Sequence, residues 1–248
     1  MDKISIIYRL SLIIGAVANL IMAASLMAGG KTYRKYTIYS RARSFTILWL
    51  VFFAVGYLIH AIFQIRTFWP TGAAALTISY FHLGAICFCW GYIPLLNPDY
   101  LTKKIAVRDT VIYGVGLAGY WASAFIWKQT TIYSMLPYLV FFVYCAYHAV
   151  IFYKTFSRVS YRLVTMSYGD VSGFVRWMQA SCDLIVFFGI FLVAVTVLFP
   201  DSIRYITPVE TLGGIGIFAY IVYSISRYGK VVEAATRATE NIADLDND

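Results

Sequence analysis

The chain has 248 residues, of which 60% are hydrophobic and only 13% charged. Soluble domains are about 45–50% apolar and about a quarter charged, and a soluble chain of this size has too little interior to hide so many apolar side chains. These proportions exclude a disordered chain, a coiled-coil rod and an ordinary soluble enzyme, and they leave a polytopic membrane protein.

A membrane-crossing helix needs about 20 mostly apolar residues. The sequence predicts seven, over 10–28, 44–65, 73–96, 110–127, 135–153, 177–199 and 209–226. The apolar runs are continuous rather than alternating, so a β-barrel is excluded. The expected fold is an all-α seven-transmembrane-helix bundle over residues 1–228, followed by a helical and acidic tail over 229–248. Basic residues set the expected orientation. Lys31, Arg34, Lys35, Arg41 and Arg43 follow the first span, and Lys103, Lys104 and Arg108 follow the third. Lys154, Arg158, Arg162 and Arg176 follow the fifth, and Arg227, Lys230 and Arg237 follow the seventh. The opposite side has Lys3, Arg9, Arg66, Lys128 and Arg204. The basic side is expected to be cytoplasmic, with the N-terminus outside, the C-terminus inside and the chain in the inner membrane of a cell. The net charge of +8 is then a topology signal. The expected partner is the lipid bilayer, joined by a cytoplasmic regulator or a second copy, and not nucleic acid. A signal peptide over residues 1–30 would invert this charge pattern, which argues against it. Trp69, Trp121, Trp127 and Tyr133 are expected near the outer boundary, and Trp49, Trp90, Tyr153 and Trp177 near the inner one.

Polar groups within apolar spans are costly and point to packing or function. In the first span Asn19 reads as a packing donor. In the second, His60 and Gln64 fall on one face. The third carries His82, and with Glu210 at the start of the seventh these form a candidate outer pocket. Two histidines and a carboxylate suit a metal, an anion or a small polar ligand, but their spacing carries no metal motif, and no metal or other cofactor is expected. The fourth span contains Gly114-Val115-Gly116-Leu117-Ala118-Gly119. It matches a dinucleotide fingerprint letter for letter, yet that fingerprint needs a strand–turn–helix setting. Inside a span, small residues serve close helix approach, and Gly213, Gly214 and Gly216 read the same way. His148 in the fifth span lies at a depth similar to Asp183 in the sixth, and Gln179 sits one turn from Asp183 on the same face. Asp183, His148 and Gln179 therefore form a candidate polar switch or pathway, with a static strut as the simpler role. The seventh span has no lysine between Val209 and Arg227, so no retinal Schiff base is expected. Cys87, Cys89, Cys145 and Cys182 all lie in apolar runs without paired spacing and read as packing residues in a reduced state. No catalytic motif is present, and no enzyme activity is expected.

Two stretches carry a family resemblance. One is Ser79-Tyr80-Phe81-His82-Leu83-Gly84 leading to Leu95-Leu96-Asn97-Pro98-Asp99-Tyr100-Leu101-Thr102. The other is Tyr168-Gly169-Asp170-Val171-Ser172-Gly173-Phe174-Val175-Arg176-Trp177-Met178. Together they resemble the membrane region of a group of bacterial seven-helix proteins, many of which carry a cytoplasmic AraC-type helix-turn-helix domain after the last helix. The resemblance implies a sensor. Here the sequence ends at Asp248, so the expected output runs through the inner loops, the tail or a separate partner. Gly169–Arg176 is expected to be an amphipathic lead-in that anchors at the membrane surface. The expected function is a non-catalytic sensor or receptor. A small-solute or ion transporter, or a structural subunit of a membrane complex, are the alternatives.

Overall fold

The computed structural model describes residues 3–28, 33–127, 131–166, 172–198 and 203–245. The side chains of 160–166, 172–175, 192–193, 196–198, 203–204 and 231–245 are outside that description. All regular structure among the described residues is helical: α1 (Lys3–Ala28), α2 (Thr37–Phe63), a single turn α3 (Ile65–Phe68), α4 (Pro70–Leu96), α5 (Lys103–Ile126), a single turn α6 (Ile132–Met135), α7 (Leu139–Met166), α8 (Ser172–Leu198) and α9 (Ile203–Leu245). A 3-10 turn, Leu136–Tyr138, joins α6 to α7.

Among the described residues, five stretches are long and apolar enough to cross a membrane: Lys3–Ala28, Thr37–Phe63, Pro70–Leu96, Ile132–Val159 and Tyr205–Lys230. At 1.5 Å per residue, the 26 residues of α1 extend about 39 Å, more than the roughly 30 Å hydrocarbon layer. In α5, glycines and Asp109 dilute the apolar character, and part of α8 lacks described side chains. Long helices consecutive in the chain run antiparallel, and α1 and α9, which pack side by side, run parallel. Arg43 early in α2 reaches Leu26 late in α1, and Thr71 at the start of α4 reaches Ala124 at the end of α5. Tyr39 early in α2 meets Ile225, midway along α9 and late in its apolar stretch.

The helix α4 is the hub, because it is buried on nearly every face; an apolar helix without a polar side belongs in the interior. Around it the core is built of rings: Phe53 lies against Tyr80 at 5.1 Å, Phe81 at 4.7 Å and Phe218 at 5.3 Å between centroids. The outward surface is apolar instead. Ile7, Leu10, Ile21, Val143, Val150 and Leu212 are all exposed, an arrangement that water would penalise and that lipid accepts.

Helix ends are closed by side chains. Thr102 caps α5 by accepting from the Ile105 amide at 3.3 Å, and Thr131 and Ser134 form a reciprocal box at α6. The buried Arg43 donates through Nε at 2.8 Å and through a second guanidinium nitrogen to the Leu26 carbonyl at the end of α1, with Tyr33 under its plane. Carbonyls in the last turn of a helix have no partner within the helix, so Arg43→Ala is expected to lower stability by about 1–2 kcal/mol. Thermal unfolding in detergent checks this, and an unchanged midpoint would show the bond to be idle.

Several expectations change. The inner segment 154–176 is not a long loop: α7 runs to Met166 and α8 begins at Ser172. Residues 169–171 of the expected lead-in lie outside the described set, and Ser172–Arg176 form the start of α8 itself. The segment beyond the seventh predicted span is helical to Leu245, as a continuation of α9. Trp49 and Trp177 are buried core residues rather than boundary residues: Trp49 packs on Phe218 at 4.6 Å and Trp177 stacks on Tyr228 at 5.9 Å. Trp69 does sit at a helix end, donating to the Ala124 carbonyl at 3.2 Å beside Trp121. The Gly114–Gly119 run lies wholly inside α5, with no strand before it. There Gly119 meets Pro137 and Gly116 meets Tyr120 and His82, whereas Gly114 faces open space.

Candidate functional site

Three polar or hollow features share the bundle, one at each end and one between. The first lies where the N-terminal ends of α1, α4 and α9 meet the C-terminal end of α2, the end predicted to face outward. His60, Arg66, Thr77 and Glu210 line a cleft there, walled by Tyr8, Tyr57 and Tyr80. Thr77 has one hydroxyl hydrogen, which it donates to the Ala73 carbonyl at 2.8 Å. Its oxygen is thus an acceptor for His60 Nε2 at 3.1 Å and for the Arg66 guanidinium at 3.2 Å. This places the His60 proton on Nε2 and leaves Nδ1 a bare acceptor. His60 Nδ1, Arg66 Nε and Glu210 Oε1 are all buried without a protein partner.

Of the four residues predicted for this pocket, the structure brings together His60 and Glu210. Gln64 does not share the His60 face, because α2 ends at Phe63 and Gln64 turns into the left-handed region at φ 49°. Its carbonyl instead caps the turn of α3, accepting from Thr67 at 2.8 Å. His82 belongs to another cluster: its Nδ1 bonds the Tyr120 hydroxyl at 3.0 Å, and its ring meets Tyr144 at 4.8 Å. Among the described residues, no group of three or more His, Cys, Asp or Glu side chains is placed to hold a metal ion. Sequence reasoning counts Arg66 only as a basic residue of the predicted outer side, whereas its side chain folds back into the bundle.

The second feature is at the opposite end. Asp109 is fully buried and accepts from Trp90 Nε1 at 2.9 Å and from Arg108 at 2.9 and 2.7 Å. His148 donates from Nδ1 to the Tyr144 carbonyl at 2.9 Å, so its Nε2 accepts from Arg108 at 3.3 Å and lies 3.7 Å from the Asp109 carboxylate. In the neutral ring Nε2 serves Arg108; in the imidazolium it would pair with Asp109. Arg108 also donates to the Tyr147 hydroxyl at 3.0 Å. The predicted Asp183–His148 contact is replaced by this Asp109–His148 one. Asp183 is exposed on the outer face of α8 and accepts from the Tyr153 hydroxyl, and Gln179 is exposed on the same face. Asp109 falls one residue before the predicted span 110–127, so it is absent from the polar groups that the spans single out. The Thr102 cap was the available signal: a helix starting at Lys103 carries Asp109 nearly two turns in.

Between the ends lies an apolar cavity of about 90 Å3. Rings from five helices wall it, Phe53, Phe81, Phe141, Phe152, Phe188 and Phe218 among them, and Tyr144 and His148 line it on the side of the Asp109 cluster. Three of the four cysteines, Cys89, Cys145 and Cys182, are in its wall, and all four are free thiols. Its half-exposed lining, Phe142, Cys145, Ile185, Val186 and Ile190, belongs to α7 and α8, so the cavity approaches the outer surface between those two helices. The Tyr144 hydroxyl is buried with no partner.

No protein-family model matches the chain, and no curated protein or solved structure is significantly similar to it.

Proposed function

We propose that the chain is a seven-span, receptor-like protein of the inner membrane, N-terminus outside, that binds an apolar ligand within the bundle and signals without catalysis. The apolar cavity carries this reading, because its wall is continuous with the Arg108–Asp109–His148 cluster at the predicted cytoplasmic end. A ligand entering between α7 and α8 presses on Tyr144 and His148, whose rings are 4.0 Å apart. A ligand shifts an equilibrium only by its differential contacts with two states. Here those contacts act on the bonds that join α4, α5 and α7. The inner loops and the tail of α9 then carry the change to a cytoplasmic partner. The transporter alternative has less support: the polar groups of the two ends are separated by the Phe53, Phe81 and Phe218 rings rather than linked.

The test is photolabelling of the protein in nanodiscs with an alkyl diazirine, mapped by mass spectrometry. Label is expected on Phe142, Cys145, Ile185 and Val186 in excess of the lipid-exposed Ile7, Leu10 and Ile21. A Cβ added at Gly189, in the cavity wall, meets nothing within 4 Å. Gly189→Phe is therefore expected to fill the space without loss of stability and to cut cavity labelling by about tenfold. Equal labelling of α1 and the cavity, or no change in Gly189→Phe, would sink the proposal.

A further inference from the structure

We infer that the cleft between His60, Arg66 and Glu210 is a second binding site, for a small zwitterion whose ammonium group donates N–H bonds and whose carboxylate faces the guanidinium. This inference is independent of the apolar cavity. The cleft lies at the other end of the bundle and is lined by side chains of opposite character.

The argument starts from unsatisfied atoms. A buried polar atom without a partner costs about 1–3 kcal/mol, and few are tolerated in a folded protein. Three occur together here, on side chains that line one cleft: His60 Nδ1, Glu210 Oε1 and Arg66 Nε. His60 is 2% exposed and Glu210 7%. Thr77 is already saturated by Ala73, His60 and Arg66, so it cannot relieve any of them. The two acceptors, an imidazole lone pair and a carboxylate oxygen, both require a donor. The guanidinium Nε requires an acceptor.

The charges narrow the guest. Glu210 and Arg66 form no salt bridge with each other, so a carboxylate and a guanidinium stand separately in one cleft. A simple cation would meet Arg66 and a simple anion would meet Glu210. A zwitterion matches both walls, as charge complementarity in a low-dielectric site favours. Its ammonium is the donor that His60 and Glu210 lack, and its carboxylate is the acceptor for Arg66. The enclosed part of the cleft has about 20 Å3, room for one water-sized group, and the remainder opens outward. The site thus suits a guest as small as glycine, with one end enclosed. The aromatic walls Tyr8, Tyr57 and Tyr80 offer π surface to an ammonium.

The experiment uses the full chain, purified into nanodiscs, and radiolabelled glycine in a scintillation proximity assay. Competitors are unlabelled glycine, trimethylglycine (the same charges without an N–H donor), methylammonium and acetate. Saturable binding is expected, displaced by glycine and at least about tenfold less well by the other three. Glu210→Gln and His60→Ala are expected to weaken it by at least about tenfold, while Gly189→Phe leaves it intact. No saturable binding would mean that the cleft holds water only, and would overturn the inference. Equal competition by trimethylglycine would overturn the N–H recognition. Wild-type affinity in a folded Glu210→Gln protein would remove the assigned role. The competition series requires no variant, so misfolding of either mutant leaves the test decisive.

Discussion

Asp109→Ala is expected to destabilise the bundle by about 3 kcal/mol, the largest loss among polar substitutions in this protein. Its carboxylate is fully buried and holds three elements at once: Trp90 from α4, Arg108 from α5 and, through the shared guanidinium, His148 from α7. Removing one member of a buried ion pair costs about 3–5 kcal/mol, because the other charge is left without compensation. The Arg108 side chain keeps 34% of its exposure, so water takes up part of that loss and the lower end of the range applies. Asp109→Asn keeps the shape but turns an amide N–H toward donors, so most of the destabilisation should persist. Unfolding of the purified protein in mixed micelles, titrated with denaturing detergent, measures both. The Asp109→Ala, His148→Ala double mutant should lose less than the sum of the two, since the residues share one network. A loss below about 1 kcal/mol in Asp109→Ala would mean that the cluster is not a structural tie.

The second large effect is steric. A Cβ on Gly15 would lie 2.5 Å from the Thr211 methyl and 2.9 Å from the Tyr57 ring. Three helices, α1, α9 and α2, meet at this hydrogen atom. Gly15→Ala is expected to cost about 1–3 kcal/mol by overpacking, and Gly15→Leu more, since the longer side chain must part α1 from α9. Gly213 and Gly216 are the controls, because a Cβ at either meets nothing within 4 Å. Alanine there should be neutral or stabilise by up to about 1 kcal/mol through helix propensity. The same unfolding titration separates the two classes. Equal behaviour of Gly15→Ala and Gly213→Ala would refute the close approach. Because Tyr57 and Thr211 also line the outer cleft, Gly15→Leu should weaken glycine binding as well, through displaced walls.

Much of the candidate machinery was legible as depth along a helix. His60 and Glu210 were both placed near the predicted outer end, and they do line one cleft. His148 lies at the opposite end of the bundle from His60, as its position along the chain predicts. What the sequence could not supply was direction around the helix axis and the identity of the neighbour. Asp183 has the same predicted depth as His148, yet it points outward to Tyr153 while Asp109 takes the histidine. His82 was grouped with His60, yet it turns to Tyr120 and Tyr144. Gln64 was put on the His60 face by counting residues, and a single left-handed residue ended the helix and the count.

The sequence by itself determined that this is a helical protein of apolar surface, because side chains of this composition have nowhere to go in water. It also determined which stretches are helical, though not where each helix ends, because each long apolar stretch must satisfy its own backbone hydrogen bonds. Only the tertiary structure decided which helices touch, that α4 is the hub, and that aromatic rings enclose a cavity between two polar ends. The physical reason is that helix formation is local, set by hydrogen bonds four residues apart. Packing is set by the shapes of side chains far apart in the chain, such as Gly15 against Thr211 or Trp90 against Asp109, which no periodicity along one helix records.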